Sequence, residues 1–371
     1  MNKIRRREEE AARRRIAPRP QVRTAEEKGT HADSPRRIPA AGWKEVLQRT
    51  WNESWTDNLG LVAAGVAFYG FLALVPMLGG LVLVYGLIAE PSTVVSNMQA
   101  LTDVLPEDVA ALIGQQLMDV LRTSEEKKGW ALLVAGLVAL YGGANGAGAI
   151  ITALNVAYEE QEKRSLLHFY AVAVSIAVVA MLLALAALAA TTTVGALGEL
   201  MPNASPVAVA LGKGAAYIAL GLAAAAVAAT LYRFAPSRHH ARWEWLTPGS
   251  LFTAISWVLL TLAFGFYVTQ VTDYEATYGS LGAIIALLTW MYLTAYVFVF
   301  GAELNRELEH QTGEDTTVGP EEPIGERGAW AADHVAGEEG EKSRPDKEVE
   351  SIARVWPDEE PDPEHPEPER G

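Results

Sequence analysis

Few side chains in this sequence combine reactive chemistry with an unusual setting, and most of those lie inside long apolar runs. Asn145 sits in Tyr141-Gly142-Gly143-Ala144-Asn145-Gly146-Ala147-Gly148. A carboxamide in such a run is costly without a partner, so it reads as a group lining a substrate path or as an interhelical hydrogen bond. Glu303, Asn305 and Arg306 close the last apolar run. A carboxylate there can pair with an arginine at the same level, and Arg164, Arg233, Arg238 and Arg242 are the candidates. Proton coupling or head-group binding is the functional alternative. The same four arginines, with Trp243 and Trp245, could hold lipid phosphates, although topology alone would also place arginines there.

Signatures of soluble enzymes do not occur. The chain has no G-x-x-x-x-G-K-[ST], no H-E-x-x-H and no G-x-S-x-G. With no cysteine it has no disulfide, thiolate nucleophile or thiolate metal site. His239 and His240 are adjacent and cannot share a helix face, and His31, His310, His334 and His365 fall in or beside the chain's ends. The expectation is no catalytic residue, no metal site and no cofactor.

The elements that must position these residues are transmembrane helices. Gly279–Ala302 holds no charged residue over 24 positions. As a helix it is about 36 Å long, against a hydrocarbon core of about 30 Å. It enters through the small polar turn Tyr278-Gly279-Ser280. Five further spans are expected at about 59–88, 130–154, 166–194, 207–231 and 246–271. The first contains Pro76, which removes a backbone hydrogen bond and kinks a helix. In the second, Gly142 and Gly146 form a GxxxG pair suited to close packing. Before the first span, Trp43, Trp51 and Trp55 recur on one helical face, as in a helix at the membrane interface. Pro106-Glu107-Asp108 starts an amphipathic helix expected outside the membrane.

Charge divides the chain into three. Residues 1–40 carry 12 Lys/Arg and 6 Asp/Glu, residues 41–306 carry 12 and 18, and residues 307–371 carry 6 and 21. The expected domains are a disordered basic tail over 1–40, a six-helix membrane domain over 41–310 and a disordered acidic tail over 311–371. Near the span ends, eight basic residues on one side against four on the other put both termini in the cytoplasm. The fold class is therefore all-α: a polytopic membrane protein with an extracytoplasmic amphipathic helix and disordered tails.

Several stretches, in order, resemble the YihY/BrkB membrane family, whose older label is ribonuclease BN. Ala67-Phe68-Tyr69-Gly70-Phe71-Leu72-Ala73-Leu74-Val75-Pro76 is similar to its first-span pattern, with Ala73 where the family usually has serine. Ala153-Leu154-Asn155-Val156-Ala157-Tyr158, then Glu162 and Arg164, resembles its A-L-N-x-x-Y segment. Trp243, Trp245 and Pro248-Gly249-Ser250 resemble its W-x-W-x-x-P-G-S entry. Tyr278–Ala283 and Gly301–Asn305 resemble its Y-G-S-L-G-A and G-A-E-L-N ends. The resemblance implies a six-helix protein of the bacterial inner (plasma) membrane.

Transport or handling of a lipid or other envelope solute is the expected function. It predicts a cavity reaching Asn145 and Asn155. A scaffold acting through its tails is the alternative. RNA hydrolysis, which the older label implies, would need a metal cluster or positioned acid and base groups in water, and none is visible. Candidate functional residues are Tyr69, Pro76, Asn145, Asn155, Arg164, Arg242, Tyr278, Gly279, Ser280, Glu303 and Asn305. The expected partners are membrane lipids, with a homo-oligomer left open and no specific nucleic acid.

Overall fold

The computed structural model describes residues 28–88, 125–200, 206–268 and 281–336. The amphipathic helix expected after Pro106, the Tyr278-Gly279-Ser280 turn and the outer parts of both tails lie outside them. The principal elements are α1 (Ala40–Thr56), α2 (Leu59–Ile88), α3 (Glu125–Ala157), α4 (Leu166–Leu200), α5 (Pro206–Phe234), α6 (Trp243–Phe266), α7 (Gly282–His310) and the short α8 (Trp330–Asp333). Among the described residues the extended pairing is confined to one isolated bridge, Ala241 with Thr317.

Within α2, α3, α4, α6 and α7 are stretches long and apolar enough to cross a membrane. The sixth long helix, α5, shows a shorter apolar stretch, Gly221–Phe234, among the described residues. Large apolar side chains on the outside, such as Leu61, Leu137, Leu167 and Leu259, are exposed. In lipid these need no cover, so association rests on close packing rather than on apolar burial. Small residues supply it. A Cβ on Gly142 would lie 3.0 Å from the Pro76 ring, and one on Gly146 would lie 3.1 Å from Ala73 Cβ. The GxxxG face of α3 thus seats the proline of α2, and α2 runs through Pro76 as one helix.

The neighbours with extensive contact run in series as α5, α6, α7, α2, α3, α4. Helix α7 is central, touching α1, α2, α3, α6 and α8. Its lower end, from Gly301 through Gln311, is buried throughout. We call this end of the bundle the polar end.

Two expected boundaries move. Residues 28–38 belong to the folded body, as do residues 311–336. The two segments meet each other: Gly313 N–H donates to Thr30 O at 2.8 Å, Thr312 Oγ1 to Ala32 O at 2.7 Å and Gln311 Nε2 to Lys28 O at 2.9 Å. Gly42 of α1 lets the first segment cross, since a Cβ there would sit 2.2 Å from Lys28 O. Arg327 organises the second segment by donating to the carbonyls of Gly313, Glu314, Glu322 and Ala332. Few large apolar residues are involved. The segments fold through backbone hydrogen bonds and small buried residues such as Ala329, Ala331 and Ala332, which a disorder argument from composition overlooks.

The three tryptophans of α1 divide. Trp51 and Trp55 are exposed and meet edge to face, while Trp43 packs beside Ile38, Val46, Trp245 and Leu308.

Candidate functional site

A partly open cavity of about 620 Å³ lies among the six long helices. Small side chains create it. Gly70 and Ala73 of α2, Gly143, Gly146 and Ala147 of α3, Ala177 and Ala180 of α4, and Ala223, Ala224 and Ala228 of α5 line its walls. Trp257 of α6 and Trp290, Met291, Thr294 and Phe298 of α7 supply the bulk. Almost all of this surface is apolar. Its volume falls within the range of about 300–1,000 Å³ common for small-molecule sites.

A hydrogen-bonded layer forms the cavity floor. Tyr232 Oη donates to Phe298 O at 2.6 Å and accepts from Thr253 Oγ1 at 2.8 Å. Beneath it, α6 and α7 cross at their glycines. A Cβ on Gly249 would lie 2.1 Å from Gly301 O, and one on Gly301 would lie 2.0 Å from Thr253 Oγ1. Asn305 fastens the crossing: its Oδ1 accepts the Gly249 N–H at 2.7 Å and its Nδ2 donates to Leu246 O at 3.2 Å. The W-x-W-x-x-P-G-S and G-A-E-L-N stretches are therefore two halves of one joint.

Below the joint lies an ionic layer. Arg306 donates to Glu303, Glu307 and Glu159 at 2.5, 2.5 and 2.6 Å. Glu159 reaches it from the end of α3, where its backbone is left-handed at φ 54°. Glu307 also accepts from Arg49 Nε of α1 at 2.5 Å. Arg238 and Glu309 form a two-bond pair, at 3.2 and 2.5 Å, and Thr316 donates to the same carboxylate at 2.8 Å. Trp330 covers the layer, with the Arg306 guanidinium 5.3 Å from its ring centroid.

The α3–α4 turn is a third tie. Asn155 Oδ1 accepts the Ser237 N–H at 2.8 Å, and its Nδ2 donates to Glu162 Oε2 at 2.9 Å. Arg164 donates to both Glu162 oxygens at 2.7 Å and to Ala235 O at 2.8 Å. Hydrogen bonding from Arg164 leads the causes that hold the Glu162 carboxyl down at about 2. Burial pushes the neighbouring Glu160 carboxyl up, against the hydrogen bond it accepts from Trp330 N–H.

The sequence-derived candidates thus separate. Asn155, Arg164, Glu303 and Asn305 gather at the polar end. Arg242 joins them by donating from Nε to Thr317 O at 3.0 Å. Asn145 is half-buried between lining residues Gly143 and Gly146, but neither it nor Asn155 is among the residues lining the cavity. The expectation of a loop arginine beside Glu303 is corrected: its partner is Arg306, one turn along the same helix. Tyr69 is exposed, and Pro76 packs at the α2–α3 contact. Sequence reasoning missed the alanine lining and Trp257 and Trp290. Small residues recurring on facing helices were the available signal, but apolar helices contain them everywhere. Among the described residues, no three His, Asp or Glu are grouped as metal ligands.

The family model for Virulence factor BrkB matches residues 50–324. The chain is 30% identical over 187 residues to the putative ribonuclease-like protein YfkH of Bacillus subtilis (strain 168), a stretch covering 50% of this chain and 68% of that protein. It is 27% identical over 289 residues to the UPF0761 membrane protein XAC0937 of Xanthomonas axonopodis pv. citri (strain 306), covering 71% of this chain and 63% of the relative. A UPF0761 membrane protein of Chromobacterium violaceum is 35% identical over 94 residues, 24% of this chain and 21% of that one. The chain thus spans less than two thirds of these two UPF0761 relatives. No solved structure matches.

Proposed function

The chain belongs to the Virulence factor BrkB family of membrane proteins, and from that premise we propose that it handles lipid, taking an acyl chain or a similarly apolar part of an envelope solute into the six-helix cavity. The observation that carries this reading is the cavity lining: apolar, built from small residues, and contributed by every long helix. A polar solute would need convergent hydrogen-bonding groups, whereas an acyl chain needs only space. Entry is assigned between α4 and α5, the helices at the two ends of the neighbour series. The membrane is the bacterial inner membrane, with the polar end and both termini in the cytoplasm, as the distribution of Lys and Arg suggests. The polar end then closes the path on that side, and substrate reaches the cavity from within the bilayer.

The test fills the space without touching the joint. Ala224→Phe places an aromatic ring on a lining position of α5. Purified protein is reconstituted in liposomes, and movement of labelled phospholipid between leaflets is followed. Wild-type protein is expected to move the label, and the variant to fold normally and move it at least tenfold more slowly, a barrier change of about 1.4 kcal/mol. Equal rates in wild type and variant would remove the cavity from the pathway, and no movement by wild type would favour scaffolding.

A further inference from the structure

The arginines of the polar end divide into those whose charge is answered and those whose charge is not. Arg164 is paired with Glu162, Arg238 with Glu309, and Arg306 with three carboxylates. Arg233, in the last turn of α5, makes no ion pair among the described residues. Its Nη1 donates to Ala241 O at 2.9 Å, and its Nε is buried with no hydrogen-bond partner among them. Arg242 follows that carbonyl in the chain. It donates from Nε to Thr317 O and likewise makes no ion pair among the described residues. Glu244, the acid in the first turn of α6, is exposed and pairs with neither. This corner therefore holds positive charge that the described protein does not balance.

Aromatic rings fix where that charge sits. The Arg233 guanidinium lies 4.5 Å from the centroid of the Trp243 ring and 5.5 Å from that of Phe234. Phe234 meets Trp243 and His240 edge to face. Cation–π contact of this kind holds a guanidinium in place without neutralising it. Phe234 ends the apolar stretch Gly221–Phe234 and Trp243 begins the stretch Trp243–Phe266, and both rings are exposed, at 46% and 49%. Exposed aromatics at the ends of apolar helices sit at the level of the lipid head groups. The site faces outward. Val227, Ala228 and Leu231 of α5 line the cavity. Arg233 comes two residues after Leu231, about 200° round the helix, so its side chain leaves α5 on the side away from the cavity.

We propose that Arg233, framed by Phe234 and Trp243, holds the phosphate of an anionic phospholipid from the leaflet at the polar end, at a site on the outside of the bundle and separate from the cavity. An arginine fork suits a phosphate, the aromatic frame sets it at head-group depth, and Arg242 adds a second positive charge beside it. The acyl chains then lie along the exposed apolar faces of α5 and α6, where Leu222 and Leu259 are exposed. The site rests on the chain lying in a bilayer and does not depend on the lipid-handling reading.

The test is native mass spectrometry of the full chain in detergent, titrated with phosphatidylglycerol, phosphatidylcholine or inorganic phosphate. Wild type is expected to retain phosphatidylglycerol in preference to phosphatidylcholine. Half-saturation should need about fivefold more phosphatidylglycerol in Arg233→Gln, the loss expected for one basic group at a membrane surface. Arg233→Lys keeps the charge but not the fork, so about twofold is expected there, and it reads the site if the glutamine variant does not fold. Arg36→Gln removes an exposed arginine elsewhere and should bind as wild type does. Ala224→Phe fills the cavity and should also bind as wild type does, which keeps this site apart from the cavity whatever becomes of lipid movement. Wild-type binding in both Arg233 variants, or an equal loss in Arg36→Gln, overturns the site. Loss in Ala224→Phe would put the retained lipid in the cavity instead. Equal retention of phosphatidylcholine would remove the preference for an anionic head group. Displacement of the lipid by an equal concentration of inorganic phosphate would make free phosphate the occupant and overturn the lipid assignment.

Discussion

The two halves of α7 meet opposite demands. From Trp290 to Phe298 the helix borders open space, and from Gly301 to Gln311 no side chain is left exposed. The upper half is held by small-residue contacts on neighbouring helices, the lower by hydrogen bonds and ion pairs. The difference follows from the solvent. An unpaired polar group inside a membrane protein is expensive, so polar side chains admit few arrangements and specify geometry. Alanine and glycine carry no polar side chain that demands a partner, so a void between them leaves no hydrogen-bonding group unsatisfied. Frame and space are thereby separated along one helix.

The strongest way to break this contrast is to place bulk on each side of it. Gly249→Leu puts a side chain where even a Cβ lies 2.1 Å from a backbone carbonyl. Neither helix can withdraw without pulling Asn305 from its two backbone partners. The expected outcome is loss of folded protein, read as the absence of a monodisperse peak after detergent extraction. The larger Ala224→Phe change should leave that peak intact. If both variants survive, the polar end is as tolerant as the cavity and the contrast fails.

Arg306→Met comes next. It removes the cation shared by Glu159, Glu303 and Glu307 and leaves buried carboxylates facing one another. Breaking a buried ionic group by removing one partner costs about 3–5 kcal/mol. Unfolding in detergent should report a loss of that order. A loss of less than about 1 kcal/mol, the scale of a surface pair, would mean that water enters the layer.

How much of this is legible from the sequence follows the same division. Charge-free runs reveal the spans, because length and apolarity are properties of one helix at a time. Gly249, Gly301 and Asn305 stand out as motif residues, yet their meeting in one joint is a tertiary fact, settled by which glycines face each other. The partner of Glu303 was within reach: Arg306 lies three residues on, where the helical period puts it on the same face. The cavity was not, since Ala147, Ala177 and Ala224 resemble any other alanine of an apolar helix. The folding of 311–336 was hidden for a different reason. Its order comes from carbonyls gathered by Arg327, and backbone carbonyls leave no mark on composition.

The smallest expected effect sharpens the contrast at its outer edge. Glu162 and Arg164 make the same kind of pair as Glu307 and Arg49, but at 29% exposure for the carboxylate against 2%. The hydrogen bond from Arg164, first among the causes, holds Glu162 at about 2, below the ordinary 4.5. The native fold thus favours the charged form. Its contribution is present in full above about pH 4.5 and is lost as pH falls toward about 2. In Glu162→Gln that contribution is absent at every pH. The variant should be slightly less stable at neutral pH, and its stability should fall less steeply across that acid window. Added salt should narrow the gap between the two proteins, because a partly exposed pair is screened. The same salt should leave the Arg306→Met deficit unchanged, because that pair is shut away from ions. If salt moved both deficits alike, burial would not be what distinguishes the ionic layer from the turn beside it.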